Sequence, residues 1–210
     1  HHDLLKKDSV YVTLTYEYLD DAYFKENNIL DSLAGDGIVI FNKEGEEIWG
    51  WNIFDHVDPF SENYVLREDW SHANAISVDT DGHFLISFRN FDQIWKIHSF
   101  TGEIIWRLGL NGDFNLNNEN IFYQQHAIHN IDDNKLMLFD NGSADFRRSS
   151  RAFIFSIDSV QNNFYLHQSV FLPDDLFTFK QGSVYQFNDN NYLFRSEEHT
   201  SELQSPCNLV

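Results

Sequence analysis

Apolar residues fall in short runs of five or six, separated by Gly, Asn and Asp. Examples are Gly37-Ile38-Val39-Ile40-Phe41, Phe84-Leu85-Ile86-Ser87-Phe88, Lys135-Leu136-Met137-Leu138-Phe139 and Ala152-Phe153-Ile154-Phe155-Ser156-Ile157. That is the punctuation of strands and hairpins. No stretch of comparable length carries a 3.6-residue apolar stripe. With 20 Phe, 9 Tyr and only 3 Pro, the pattern predicts an all-β chain.

The strands repeat. His72 to Phe88 aligns with His126 to Phe139, with Ser183 to Phe194 and with His2 to Leu14, each reading as strand, tight polar turn, strand. A second unit, strand then turn then strand ending in tryptophan, occurs as Gly37 to Trp49 and again as Gln93 to Trp106. Together the two hairpins make four strands, recurring at a spacing of roughly 50 to 70 residues, the mark of β-propeller blades with long loops. The expected architecture is an incomplete β-propeller over residues 1–194, with about three blades and the start of a fourth.

The 210 residues hold enough apolar material, 42%, for one sizeable core. Lys+Arg 14 against Asp+Glu 33 gives a net charge of -19, a field that repels phosphate backbones, so nucleic acid is excluded as the expected partner. No apolar run reaches the eighteen residues that a membrane span needs. The acidic turns Asp79-Thr80-Asp81-Gly82 and Asp132-Asp133-Asn134 lack calcium-loop spacing and the terminal glutamate, so they read as hairpin corners and no metal is expected.

Position makes the histidines informative. His2, His72 and His126 each stand at the start of the first strand of their repeat. Innermost strands line one channel in a propeller, so equivalent starts converge on one mouth. A single histidine there is more simply a strand cap, but three in register point to a site. Arg151, which begins a strand of the third blade after a Gly-containing loop, can reach the same mouth or stay a loop cation. Imidazole with guanidinium suits transfer of an anionic group, imidazole as nucleophile or proton shuttle and Arg as the fork for tetrahedral oxyanions. His56, His83, His98, His129 and His167 have no such register and read as surface or satisfied core residues. A Walker loop, a dinucleotide fingerprint, a Gly-x-Ser-x-Gly elbow and a paired-cysteine site are all missing from the sequence, and no cofactor is expected.

Several linked strings resemble the aryl-sulfate sulfotransferase family: Asp69-Trp70-Ser71-His72-Ala73-Asn74-Ala75-Ile76, Ile86-Ser87-Phe88-Arg89-Asn90, Thr101-Gly102-Glu103-Ile104-Ile105-Trp106, Gln125-His126-Ala127, Leu138-Phe139-Asp140-Asn141-Gly142 and Ser150-Arg151-Ala152, with His1-His2-Asp3 resembling its first blade motif. The resemblance implies a six-bladed parent that moves a sulfuryl group from a phenolic sulfate ester to a phenol acceptor. It does so through a sulfohistidine and without a nucleotide donor. By motif, His72, His126 and Arg151 are the catalytic candidates and His2 and Asn74 the substrate-binding ones. The fourth repeat starts with Gly182-Ser183 where the others carry histidine, and the family's sulfated histidine lies toward its C-terminal blades. The nucleophile is therefore left unassigned and residues 1–194 alone are expected to be inactive. Family members are typically exported, which implies periplasmic or secreted placement. The alternative is a non-catalytic binding or scaffold propeller that keeps the mouth motifs for structural reasons.

Arg195 to Val210 breaks the aromatic strand pattern and looks like a translated sequencing adapter, so it is expected to be a non-native tail. The only cysteine, Cys207, lies there.

Overall fold

In the computed structural model, residues 3–19, 32–61, 64–132, 134–188, 191–196 and 207–209 are described, the last three as backbone alone. Three antiparallel four-stranded meanders follow one another: β1 (Leu4–Lys7), β2 (Val10–Leu19), β3 (Leu33–Asn42) and β4 (Glu47–Asn52); β5 (Ala73–Val78), β6 (Phe84–Phe88), β7 (Gln93–Ile97) and β8 (Ile104–Gly109); and β9 (His126–Asp132), β10 (Lys135–Asp140), β11 (Arg151–Asp158) and β12 (Asn163–Phe171). A fourth sheet holds β13 (Ser183–Asn188), β14 (Asn191–Arg195) and β15 (Cys207–Leu209). The expected hairpins are all present, β1-β2, β5-β6, β9-β10 and β13-β14 as the first kind and β3-β4 and β7-β8 as the second. The chain is all-β, its sheets succeeding one another as propeller blades.

The unbroken apolar runs follow from burial on both faces of the blade. Phe84, Ile86 and Phe88 of β6 pack toward the first blade with Val12, Leu14, Ile38 and Trp51, whereas Leu85 turns the other way with Ile128, Leu136 and Leu138. In β10 the alternation repeats, Leu136 and Leu138 facing the second blade while Met137 and Phe139 face Val184 and Phe194 of the fourth. A strand covered on both sides has no polar face to alternate with. Each fully buried side chain of this size contributes about 1.5–3 kcal/mol of transfer free energy.

Blades are also stitched by polar bonds. Trp51 Nε1 donates to Gly102 O at 2.9 Å and Trp49 Nε1 to Phe100 O at 3.2 Å, tying β4 to the β7-β8 turn. Gly102 has φ +77 and a Cβ there would come within 2.9 Å of the Trp51 ring, so both the turn and the indole's approach require glycine. Ile76 N donates to Asp3 Oδ2 at 3.2 Å and Asn130 Nδ2 to Val78 O at 3.0 Å, which places the innermost strands β1, β5 and β9 side by side. The acidic turn at Asp79 is a hairpin corner closed by Gly82 N on Asp79 O at 2.9 Å, and both Asp79 and Asp81 bind Lys96 Nζ, at 2.5 and 2.6 Å. At the second such corner Asn134 N donates to Asp132 Oδ1 at 2.9 Å, and Asp133 lies outside the described residues.

Candidate active site

The starts of β5 and β9 are held in an unusual backbone conformation. His72, directly before β5, has φ 49, and Gln124 and Ala127 around His126 have φ 50 and 55. Left-handed backbone at non-glycine residues costs on the order of 1 kcal/mol each and persists only where neighbours hold it. Here Arg89 N donates to His72 O at 3.1 Å and Gln124 N donates to Asp92 Oδ1 at 2.6 Å. Register shifts fall at the same level, between Ala73 and Ala75 in β5 and between Met137 and Phe139 opposite β9. The ladder is broken where the two histidines stand, and bulges of this kind re-aim side chains.

His72 and His126 are linked through Arg89, whose N donates to His72 O at 3.1 Å and whose Nη2 donates to Gln124 Oε1 at 2.9 Å, two residues before His126, and the surroundings of the two rings differ. The His72 Nδ1 is held by the Asp69 carboxylate three residues earlier. His126 Nδ1 faces two neutral acceptors, Asn141 Oδ1 at 2.8 Å and Gln124 O at 3.0 Å. Burial pushes the His126 imidazole down to about 4, with Arg89 and His72 acting in the same direction and the two hydrogen bonds opposing. His126 is therefore neutral at physiological pH. Beneath His72, Asp36 is buried and accepts from Ser71 Oγ at 2.5 Å and Ala73 N at 2.7 Å. Burial raises its carboxyl to about 6, and Asp69 adds to the shift.

Arg89, immediately after β6, is the cation that acts on His126. Its guanidinium donates to Gln124 Oε1 at 2.9 Å, Phe179 O at 3.2 Å and Asn90 Oδ1 at 3.2 Å. Burial lowers its pKa, while Asp92 and Asp69 counteract. Asp92 itself is raised to about 6, chiefly by burial.

Arg151 stands at the same end of the third blade as His126, since His126 pairs with Phe139 and Arg151 with Asp140, and its side chain is bound into the blade. It is 4% exposed, with Nε on Asp140 Oδ2 at 2.7 Å, Nη1 on Glu119 O at 3.1 Å and Ser169 Oγ at 3.2 Å, and Nη2 on Ile121 O at 3.0 Å. Its guanidinium carbon lies 4.2 Å from the Phe153 ring centre and 5.5 Å from that of Phe171, and Asp140 also pairs with Arg147 at 2.5 Å. Four bonds from a five-donor group make it a brace inside the third blade. Asn74 is buried with Nδ2 on Gln125 O at 2.8 Å, a junction between second and third blades. His2 lies outside the described residues. The residue that sequence reasoning passed over is Arg89. Its string, Phe88-Arg89-Asn90, is part of the resemblance, but nothing in a strand-end arginine says that its backbone binds the histidine before β5.

A family model for arylsulfotransferases (ASST) matches residues 1–205. The chain belongs to the arylsulfotransferase family. No curated protein matches it. Membership makes aryl sulfates the substrate class of the family to which this site belongs, and no described helix is long and apolar enough to cross a membrane. The geometry fits that chemistry. A neutral imidazole offers a nitrogen lone pair near pH 7, a carboxylate-backed imidazole can carry a proton, and a guanidinium can bind sulfuryl oxygens. Among the described residues no group of three or more His, Cys, Asp or Glu is placed to hold a metal ion.

Proposed function

We propose that this site transfers a sulfuryl group from a phenolic sulfate ester to a phenol, by way of a sulfohistidine and without a nucleotide donor. In the first half, a histidine nitrogen attacks sulfur, an N–S bond forms, the S–O bond to the aryl group breaks, and the departing phenolate takes up a proton. In the second half an acceptor phenol gives up its proton, its oxygen attacks sulfur, and the N–S bond breaks. Arg89 binds the sulfuryl oxygens, whose charge grows in the transition state. His72, backed by Asp69, serves the leaving and entering phenol oxygens as proton carrier. His126 supplies an uncharged nitrogen at the same mouth. Arg151 supports the blade that carries it. The family's exported placement, periplasmic or secreted, is part of the same proposal.

What supports this reading is the chain of contacts that joins His72, Arg89 and His126 across two blades: Arg89 N on His72 O at 3.1 Å, Arg89 Nη2 on Gln124 Oε1 at 2.9 Å, and Gln124 O beside His126 Nδ1 at 3.0 Å. The alternative, a binding or scaffold propeller, draws on Arg151 and Asn74, both of which spend their donors on structural partners. The deciding assay uses the complete protein encoded by the gene, with p-nitrophenyl sulfate as donor and phenol as acceptor. Phenol-dependent release of nitrophenolate that disappears in His126→Ala supports the enzyme. A folded protein with no turnover supports the scaffold.

A further inference from the structure

The segment between β12 and β13 turns three backbone carbonyls toward the second and third blades. Thr178 O and Gln181 O accept from Asn141 Nδ2, at 3.1 and 2.7 Å, and Phe179 O accepts from Arg89 Nη2 at 3.2 Å. Ser150 Oγ fastens it further, accepting from Thr178 N at 3.1 Å and donating to Asn141 O at 2.7 Å. Asn141 and Thr178 are buried.

Two carbonyls can be served only by the NH2 end of an amide, so Asn141 must turn its oxygen the other way, onto His126 Nδ1. Gln124 O meets the same nitrogen. An imidazole nitrogen between two oxygen acceptors carries the proton, and the lone pair of the neutral ring is then on Nε2. We propose that Asn141 is a positioning residue for the transfer reaction, locking His126 in the tautomer with Nε2 bare, and that Thr178 to Gln181 is the strap that orients Asn141 and Arg89 together. The inference rests on the reading of this site as a sulfotransferase centre, which gives the bare nitrogen its use.

Charged groups around the ring work with this arrangement. Arg89 after β6 and His72 before β5 both oppose a second proton on His126, Asp69 is engaged by His72, and the strap contributes carbonyls. Replacing the Asn141 oxygen by a carboxylate reverses the balance at that nitrogen.

The test is ring nitrogen NMR of the folded chain labelled with 15N-histidine, which reads the tautomer without reference to turnover. The wild type is expected to show a protonated Nδ1 and an unprotonated Nε2 for His126 at pH 7. In Asn141→Asp, the midpoint of the His126 titration is expected to rise by about two units or more. A proton on Nε2 in the wild type overturns the proposal, whether or not the variant folds, and so does an unchanged midpoint in a folded variant. Failure of the sulfate-transfer assay alone leaves these nitrogen shifts where they are and counts against the enzymatic reading instead.

Discussion

Asn74 Nδ2 donates to the backbone oxygen of Gln125 at 2.8 Å. This joins the residue two after His72 to the residue just before His126, and Ser87 Oγ donates to the same oxygen at 3.1 Å, so two buried hydrogen bonds tie the segments that carry the two histidines. Gln125 is held from the other side, its Nε2 donating to Phe88 O at 3.2 Å and Gln93 O at 2.8 Å.

Asn74→Ala is therefore expected to cost about 0.5–1.5 kcal/mol, the net worth of one buried hydrogen bond, because Ser87 Oγ still donates to Gln125 O at 3.1 Å. Urea denaturation reads this directly. The same variant should lower turnover through misplacement of His72 against His126, with little change in donor KM.

The two arginines should separate cleanly. Arg89→Lys keeps a cation but loses the planar fork that serves Gln124, Phe179 and Asn90, and it is expected to cost about 1–2 kcal/mol of stability while reducing kcat at least tenfold. Arg151→Met removes four hydrogen bonds and takes from the buried Asp140 one of the two arginines paired with it, with an expected loss of about 3–5 kcal/mol. A variant at Arg151 with full stability and no activity would reverse these assignments.

Acid stability should report on His126. Its pKa in the folded chain, about 4, lies below the ordinary 6.5, so the unfolded chain binds the proton more readily between those values. Stability from this group is fully present above pH 6.5 and is lost as pH falls toward 4. His126→Gln should flatten that part of the pH profile, by up to about 2–3 kcal/mol between its ends. Parallel profiles for the two proteins would count against a buried neutral imidazole.

Asp92 has the opposite sign. With its carboxyl raised to about 6 in the fold against an ordinary 3.8, its contribution is fully present below pH 3.8 and is lost as pH rises through 6. Asp92→Asn, whose side-chain oxygen can still accept from Gln124 N, should stabilise the protein by about 1–3 kcal/mol at pH 7.5 and leave it unchanged near pH 3.5. Equal effects at both pH values would show that the carboxyl is not raised.

Lys96 gives a test away from the mouth. Its amine is 10% exposed between Asp79, 14% exposed, and Asp81. Lys96→Met should destabilise by about 1–3 kcal/mol, because the partly buried Asp79 loses its cation and keeps only backbone donors such as Thr80 N. Adding Asp79→Asn should recover part of the loss in a double-mutant cycle.

What the sequence by itself determined was the part written in neighbouring residues. Runs of apolar residues between Gly, Asn and Asp specify strands, the doubled hairpin specifies the blade, and histidine recurs at the start of the first strand in the second and third blades. All of these are local, since strand propensity, turn chemistry and register act over a few positions. Tertiary structure decided which side chains those histidines and their neighbours meet. Arg89 and Phe179 O are 90 positions apart, Asn141 and Gln181 are 40 apart, and Asp36 and Ser71 are 35 apart. The arginine expected at the mouth, Arg151, is held by carbonyls about 30 residues upstream, at Glu119 and Ile121. A guanidinium or an amide binds whatever acceptors folding brings within about 3 Å, and blade-to-blade packing, which no local pattern encodes, selects those acceptors.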